Sequence, residues 1–309
     1  MNELTQVKSY DIQLSTADAT RAFDLLQAND ATRSDYKARI GLYIDFINVH
    51  GLHRNTLIDF RHYLADRTDY SISTKNKYLT AARKYSGILF TAGLVPIDIS
   101  KDISGTTVKG FRSDRKHKKD GIQADEIERL AGYLQGLDTT PTNLRLRAMF
   151  TLLMLQGLRQ IELTRLDVTD IDLRNGKAFI RGKGRDDKEP IALHPTTVQA
   201  LADYLDASRK KSGPLFTSES NNSQGRRLTT RGIRKTLQTV LDNLNIDNSV
   251  HGFRHYFTTT MVKHYGGDLL TVAHYTRHRS LEMLQVYNDA INAEADLPRY
   301  YDAFKGVQV

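Results

Sequence analysis

Residues 251–287 read HGFRHYFTTTMVKHYGGDLLTVAHYTRHRSLEMLQVY, and the rest of the chain is organised around them. His251 and Arg254 are three positions apart, so on a helix they share a face. Gly252 after the histidine puts both near the start of that helix, the end that favours anions. Some thirty residues on, His278 precedes a short apolar-periodic run, Leu281, Leu284 and Val286, that ends at Tyr287. Upstream, Arg159 follows Gly157-Leu158, and Lys183 stands between Gly182 and Gly184. Two arginines, two histidines, a lysine and a tyrosine suit a site that holds one phosphodiester and attacks it with a phenol.

Composition points the same way. The 309 residues suffice for two ordinary domains, each with its own core. Forty-four Lys and Arg against 36 Asp and Glu leave a net charge of +8, which makes a polyanion, nucleic acid first, a natural partner. With no cysteine, disulfides, thiolate metal sites and a cysteine nucleophile are excluded. The segment MNELTQVKSYDIQLS lacks a charged region followed by an apolar one, so it does not read as a secretory signal, and a cytoplasmic location is expected. The most apolar segment, 148–155, is too short to span a bilayer, so no membrane partner is expected.

Periodicity predicts a mainly α chain with a small antiparallel β-sheet. Residues 1–14 have no clear period. Ser15 with Asp18 forms a capping-box pattern opening a helix over 19–28. A second helix over 31–49 carries the stripe Tyr36, Ile40, Tyr43, Ile44, Ile47. Thr56 is placed to cap a third, with Leu57, Phe60, Tyr63 and Leu64 on its inner face. Ser73 is placed to cap a fourth, with Tyr78, Ala82, Tyr85, Leu89 and Phe90 inward and Lys75, Lys77, Arg83 and Lys84 outward, a basic face suited to DNA phosphates. This helical bundle is assigned to residues 1–105. The stretch ISGTTVKGFRSDRKHKKDG then loses all apolar period, and 106–122 is assigned as a basic linker.

The second domain, 123–309, opens with helices expected over 124–135, 143–155 and 160–166. Strands are expected over 168–172, 178–181 and 190–193, broken by Asn175-Gly176 and Gly182-Lys183-Gly184. Helical pattern resumes at Val198, Leu201 and Leu205, and again over 229–244 after a loop at 221–225. Arg226, Arg227 and Arg231 beside Thr229 and Thr230 would set that helix start against a DNA backbone or groove.

Splitting a phosphodiester with a side-chain nucleophile needs a positioned attacker, cations for the charge that develops on the non-bridging oxygens, and a proton donor for the leaving oxygen. Arg159 and Arg254 suit the clamp, because a planar guanidinium engages two oxygens and stays charged. Lys183 on a glycine-flanked turn fits the general acid towards a leaving 5′-oxygen, with Lys177 and Lys188 as alternatives. A phenol with an ordinary pKa near 10 needs help to ionise, and His251 is placed to give it. Chemistry alone does not choose the tyrosine: Tyr256, Tyr265, Tyr275, Tyr300 and Tyr301 compete with Tyr287.

Order and spacing do choose. The segments QGLRQIELTRL, IRGKG, HGFRH and TRHRSLEMLQVY together resemble the tyrosine recombinase (phage integrase) family over residues 124–301. Its catalytic domain shows an Arg after Gly-Leu with a Glu three residues on, a hairpin Lys, a His-x-x-Arg-His block, and a second His with the nucleophilic Tyr nine residues later. Arg159 with Glu162, Lys183, His251 with Arg254 and His255, and His278 with Tyr287 match in that order. Glu162 is then a structural partner that orients Arg159. Gln156 stands where the family has Thr, and Arg277 where it has Gly; the arginine would turn His278 slightly or add a phosphate contact.

The resemblance implies an N-terminal core-binding domain followed by a catalytic domain that cleaves and rejoins double-stranded DNA through a 3′-phosphotyrosyl link. It implies no cofactor and no metal, because the covalent link stores the bond energy. It implies a homo-tetramer acting on two duplexes through a four-way junction, with a DNA-bending accessory factor in some systems, and service to a mobile element or to replicon resolution. The tail after Asp289, with Leu297, Tyr300, Tyr301 and Phe304, would dock as a helix on a neighbouring protomer. The alternatives are a type IB topoisomerase-like relaxing enzyme and a non-catalytic DNA-binding regulator on the same fold.

Overall fold

In the computed structural model the described residues are 14–102, 104–112, 121–182, 187–278, 280–303 and 305. The N-terminal arm, the linker core at 113–120, Lys183 and Phe304 lie outside them. The chain divides into two compact units, Met1–Lys116 and His117–Val309.

The first unit is built of helices α1 (Thr16–Ala22), α2 (Asp30–Lys37), α3 (Gly41–His50), α4 (Thr56–Asp66) and α5 (Ile72–Thr91), with a 3-10 turn at Phe23–Leu25 after α1. The single helix expected over 31–49 is two. At the junction the Ala38 N–H bonds to Ser34 and Tyr36 and the Arg39 N–H to Tyr36, and α3 restarts on the Ile40 carbonyl. Ala38 and Ile40 keep right-handed backbone angles, so the apolar stripe survives the break: Ile40, Tyr43, Ile44 and Ile47 are buried together. Caps shift by small steps. Ser15 does accept the Asp18 N–H, but the helix starts at once, at Thr16. Ser71 rather than Ser73 caps α5, accepting from the Thr74 N–H at 3.2 Å. Thr56 lies inside α4, buried, its hydroxyl accepting from the His53 N–H at 2.7 Å. Phe90 is exposed rather than inward, and Arg83 is partly buried rather than outward.

Phe23, Tyr43, Phe60 and Tyr85 fill the centre of this unit, each such burial contributing roughly 1.5–3 kcal/mol. Residues 106–111, expected in the linker, return onto it. Val108 is buried, the Phe111 N–H donates to Asn76 Oδ1 at 2.7 Å, Asn76 Nδ2 donates to the Phe111 carbonyl at 3.0 Å, and the Arg61 guanidinium lies 4.8 Å over the Phe111 ring.

The second unit contains α6 (Ala124–Gly136), α7 (Pro141–Gln156), α8 (Gln160–Arg165), strands β1 (Ile171–Asp172), β2 (Lys177–Ile180) and β3 (Glu189–Ala192), and then α9 (Pro195–Ser208), α10 (Thr230–Asn243), α11 (Gly252–His264), α12 (Leu269–Thr276) and α13 (Leu281–Asp302). The sheet is antiparallel in the order β1-β2-β3, with Ala178 facing Ile171 on one side and Ile191 on the other. The first strand is shorter than expected because 168–170 forms a 3-10 turn, closed by the Asp170 carboxylate accepting the Asp167 N–H at 2.9 Å. α7, capped by Thr140 with Pro141 in its first turn, is buried over most of its length and forms the centre of the unit, packed on α9 and α11. α11 also packs on α12 and α13. No helix among the described residues is long and apolar enough to cross a membrane.

Candidate active site

Five chain segments converge within the second unit: the end of α7, the start of α8, the start of α11, the end of α12 and the second turn of α13. α7 ends at Gly157 in a left-handed conformation, φ 58°. A β-carbon there would lie 2.3 Å from the Phe257 ring, so both backbone and space demand glycine. The turn buries Leu158 and presents Arg159 as the residue before α8.

Glu162, three residues on and 1% exposed, is the hub of the site. Its carboxylate accepts the Arg159 backbone N–H at 2.8 Å and Arg159 Nη1 at 2.9 Å, and meets Arg277 Nη2 at 3.2 Å. Burial alone would raise its pKa, but Arg277 and Arg159 hold the carboxyl below its ordinary value, so it stays ionised. The expected pairing of Glu162 with Arg159 is therefore present, with a second arginine that sequence reasoning had aimed elsewhere. Arg277 does not reach outward for a phosphate: its side chain is 8% exposed and folded inward. Gln156 is likewise internal, accepting from Thr197 Oγ1 at 2.9 Å.

Arg254, on the first turn of α11, is 4% exposed. Nη1 donates to the Gly157 carbonyl at 2.7 Å and Nη2 to the Thr276 carbonyl at 2.5 Å, so one guanidinium ties α7 to α12. Desolvation first, then the neighbouring Arg159 and Arg277, push its pKa down to about 9. A cation so poorly compensated is one that an arriving anion would stabilise.

His278 follows α12. Thr276 Oγ1 donates to the Val272 carbonyl at 2.8 Å, so the 2.7 Å contact from His278 Nδ1 to that hydroxyl requires the ring to be the donor. Nε2 then carries the lone pair, 3.5 Å from Arg254 Nη2. Burial, then Arg254, Arg159, Arg277 and His255, push its pKa down to about 4, so the ring is neutral at neutral pH.

Tyr287 is not at the end of a run, as its sequence suggested, but inside a long helix. It packs with Ile291 against Val262, Val272 and Leu284. Its hydroxyl is hydrogen-bonded to His255 Nδ1. Burial holds the phenol's pKa above its ordinary value, and Arg254 offsets only part of that rise. The histidine at the tyrosine is thus His255 and not His251; His251 lies one turn earlier, edge-on to the His255 ring with centroids 4.7 Å apart. The signal was there in HGFRH: positions 251 and 255 are four apart and share a helix face, so whichever lies deeper meets the residue packed on it.

The alternative lysines are accounted for differently. Lys188 pairs with the buried Asp170, and Lys177 is exposed on β2. Arg227, expected near a DNA backbone, is exposed and held in place: it donates to the Thr164 and Leu166 carbonyls at 2.8 and 3.0 Å and pairs with Asp167. Thr229 does cap α10, accepting the Gly232 N–H at 3.1 Å.

The model of the phage integrase family matches residues 121–294. The tyrosine recombinase XerC of Halalkalibacterium halodurans is 30% identical over 241 residues, 74% of this chain and 75% of that one. The tyrosine recombinase XerD of Oceanobacillus iheyensis is 28% identical over 282 residues, 86% of this chain and 89% of the other. The solved structure of the XerH site-specific recombinase bound to palindromic difH substrate, a post-cleavage complex, shares the fold with a TM-score of 0.68 at 18% identity, over 92% of this chain and 84% of that one.

Proposed function

The chain belongs to the phage integrase family of tyrosine recombinases, enzymes that cleave and rejoin DNA strands, and on that premise we propose that it recombines specific double-stranded DNA sites with Tyr287 as nucleophile. The observation that carries this reading is the placement of the Tyr287 hydroxyl on His255, within the field of Arg254, at the point where five segments meet.

The Tyr287 oxygen attacks the scissile phosphorus, passing its proton to His255 Nδ1. The bond from phosphorus to the 5′-oxygen breaks, leaving a 3′-phosphotyrosyl link and a 5′-hydroxyl. Lys183 supplies the proton that the leaving oxygen takes up, a role that rests on the sequence pattern. Arg159 and Arg254 face the non-bridging oxygens, and preorganised donors of this kind contribute on the order of 3 kcal/mol each to the transition state. The phosphate's negative charge offsets the cations that keep His278 neutral, so the ring takes a proton and donates it from Nε2. His251 orients His255 through their ring contact. Attack by another strand's 5′-hydroxyl reverses the step and exchanges partners through a four-way junction, with no cofactor or metal.

The first unit is proposed as the core-binding domain, using Lys75, Lys77 and Lys84 of α5 on phosphates. Four protomers on two duplexes would use the exposed Leu297, Tyr300 and Tyr301 of α13 to dock on one another. Mobile-element movement, replicon resolution and a DNA-bending partner all stay open to the same chemistry.

The test is covalent capture. The chain is incubated with a pool of nicked duplexes of randomised sequence, denatured in detergent, and the DNA that stays attached is recovered and sequenced. Wild type is expected to retain DNA of a shared sequence and Tyr287→Phe none, while non-covalent binding of the recovered sequence persists in the variant. Equal capture by Tyr287→Phe would name the wrong nucleophile, and no capture by wild type would leave a DNA-binding regulator. Two plasmids bearing the recovered site then separate exchange of partners from simple relaxation.

A further inference from the structure

Arg277 occupies a backbone position that residues other than glycine rarely take. It ends α12 at φ 56°, where its β-carbon crowds the following carbonyl. Such a conformation persists when its surroundings hold it, and here they do. Nη1 donates to the Gln156 and Tyr275 carbonyls, each at 3.2 Å. Nη2 reaches Glu162 Oε2 at 3.2 Å and the Gly157 carbonyl at 3.4 Å, and Nε faces Glu189 Oε1 of β3 at 3.9 Å. Gly157 is the carbonyl that Arg254 also uses.

The charges explain why an arginine is worth this backbone. Glu162 is buried and grips Arg159 at two points. Alone with Arg159 in a dry setting, the carboxylate would cancel the guanidinium's charge and compete with any phosphate for it. With Arg277 in place, the three guanidiniums of Arg159, Arg254 and Arg277 stand against two carboxylates, Glu162 and the Glu189 that lies 3.9 Å from Arg277 Nε. A phosphodiester would then meet one net positive charge where, without Arg277, it would meet none.

We infer that Arg277 is a positioning residue: it neutralises Glu162 from behind, so the carboxylate holds Arg159 in place while the charge of Arg159 stays available to the scissile phosphate. This rests on the roles proposed for Arg159 and Tyr287.

Arg277→Gly is the informative variant, because it installs the residue type the backbone favours while removing the buried arginine side chain. With the full chain and the duplex recovered by covalent capture, we expect a lower melting temperature but near-normal non-covalent DNA affinity at a temperature where the variant is folded, and single-turnover formation of the covalent complex slowed about 10- to 100-fold, the scale of a mispositioned reacting group. Arg277→Lys, which keeps a charge without the fork, should recover part of that rate. A glycine variant as fast as wild type overturns the inference, as does a loss of rate matched by an equal loss of DNA binding in both variants. Should Arg277→Gly fail to fold, the lysine variant decides, slower than wild type at unchanged affinity in favour, equal rate against.

A second readout needs no DNA. His278 faces Arg254, Arg159, Arg277 and His255, so removing Arg277 should move its ring titration, followed by NMR, to higher pH. Should wild type give no covalent complex, the proposed function fails, and this titration still judges Arg277: an unchanged His278 curve refutes it.

Discussion

The two units of this chain bury different chemistry. Among the described residues, the buried polar side chains of the first unit are the hydroxyls of Thr56 and Ser86, while the second buries Arg145, Glu162, Asp170 and Arg254. A core of apolar side chains is favoured at every contact and needs no particular partner. A buried charge is costly unless every partner is in place. The first unit is therefore a scaffold whose core is set by shape, and the second carries unfavourable charge concentrated where five segments meet. Charge that folding alone would remove is the physical mark of a site that binds an anion.

The sharpest way to break that contrast is Arg254→Ala. It removes the proposed phosphate donor and the tie between the Gly157 and Thr276 carbonyls, so single-turnover covalent capture should fall about 10²- to 10³-fold. A drop of only two- or threefold would place Arg254 outside the chemistry. Next is Glu162→Gln, which leaves Arg159 and Arg277 with no anion between them in a buried place. Removing one partner of such a group costs about 3–5 kcal/mol, read by denaturant unfolding of the variant against wild type; a loss below about 1 kcal/mol would show the carboxylate to be dispensable to the fold.

A smaller effect is the pH dependence carried by His278. Its folded pKa of about 4 lies below the ordinary 6.5, so between those values the unfolded chain binds the extra proton. The neutral ring's contribution is complete above about pH 6.5 and is lost as the pH falls towards 4. His278→Asn should lower the slope of stability against pH in that window by at most one proton, and equal slopes would show the ring to be protonated in the folded state. The smallest effect belongs to the first unit. Tyr43→Phe removes the 3.0 Å bond between the Tyr43 hydroxyl and Ser86 Oγ and should cost about 1 kcal/mol in the same unfolding measurement, with no change in capture at saturating DNA. Slower capture there would join the two units functionally and blur the contrast.

Much of this was legible in one dimension. The stripe Tyr36 to Ile47 survived a helix break because both sides of the break kept right-handed angles. Gly157, Arg159 and Glu162 sit within six residues, so their geometry is local: a left-handed turn, then a helix start closed by its own carboxylate. The bond between Tyr287 and His255, and the inward turn of Arg277, could not be read locally. Each depends on which carbonyl, carboxylate or hydroxyl another segment brings within hydrogen-bonding distance.

By itself, the sequence determined that helices dominate, that a basic, cysteine-free chain carries two arginines, their histidines and a tyrosine in family order, and that glycine must close α7, because periodicity, charge and turn chemistry are properties of neighbouring residues. Only the tertiary structure decided which histidine meets Tyr287, that Arg277 turns inward to Glu162, and that His278 is neutral. Hydrogen bonding and desolvation act over a few ångströms between groups up to about 120 positions apart in the chain, and no spacing along the backbone encodes that distance.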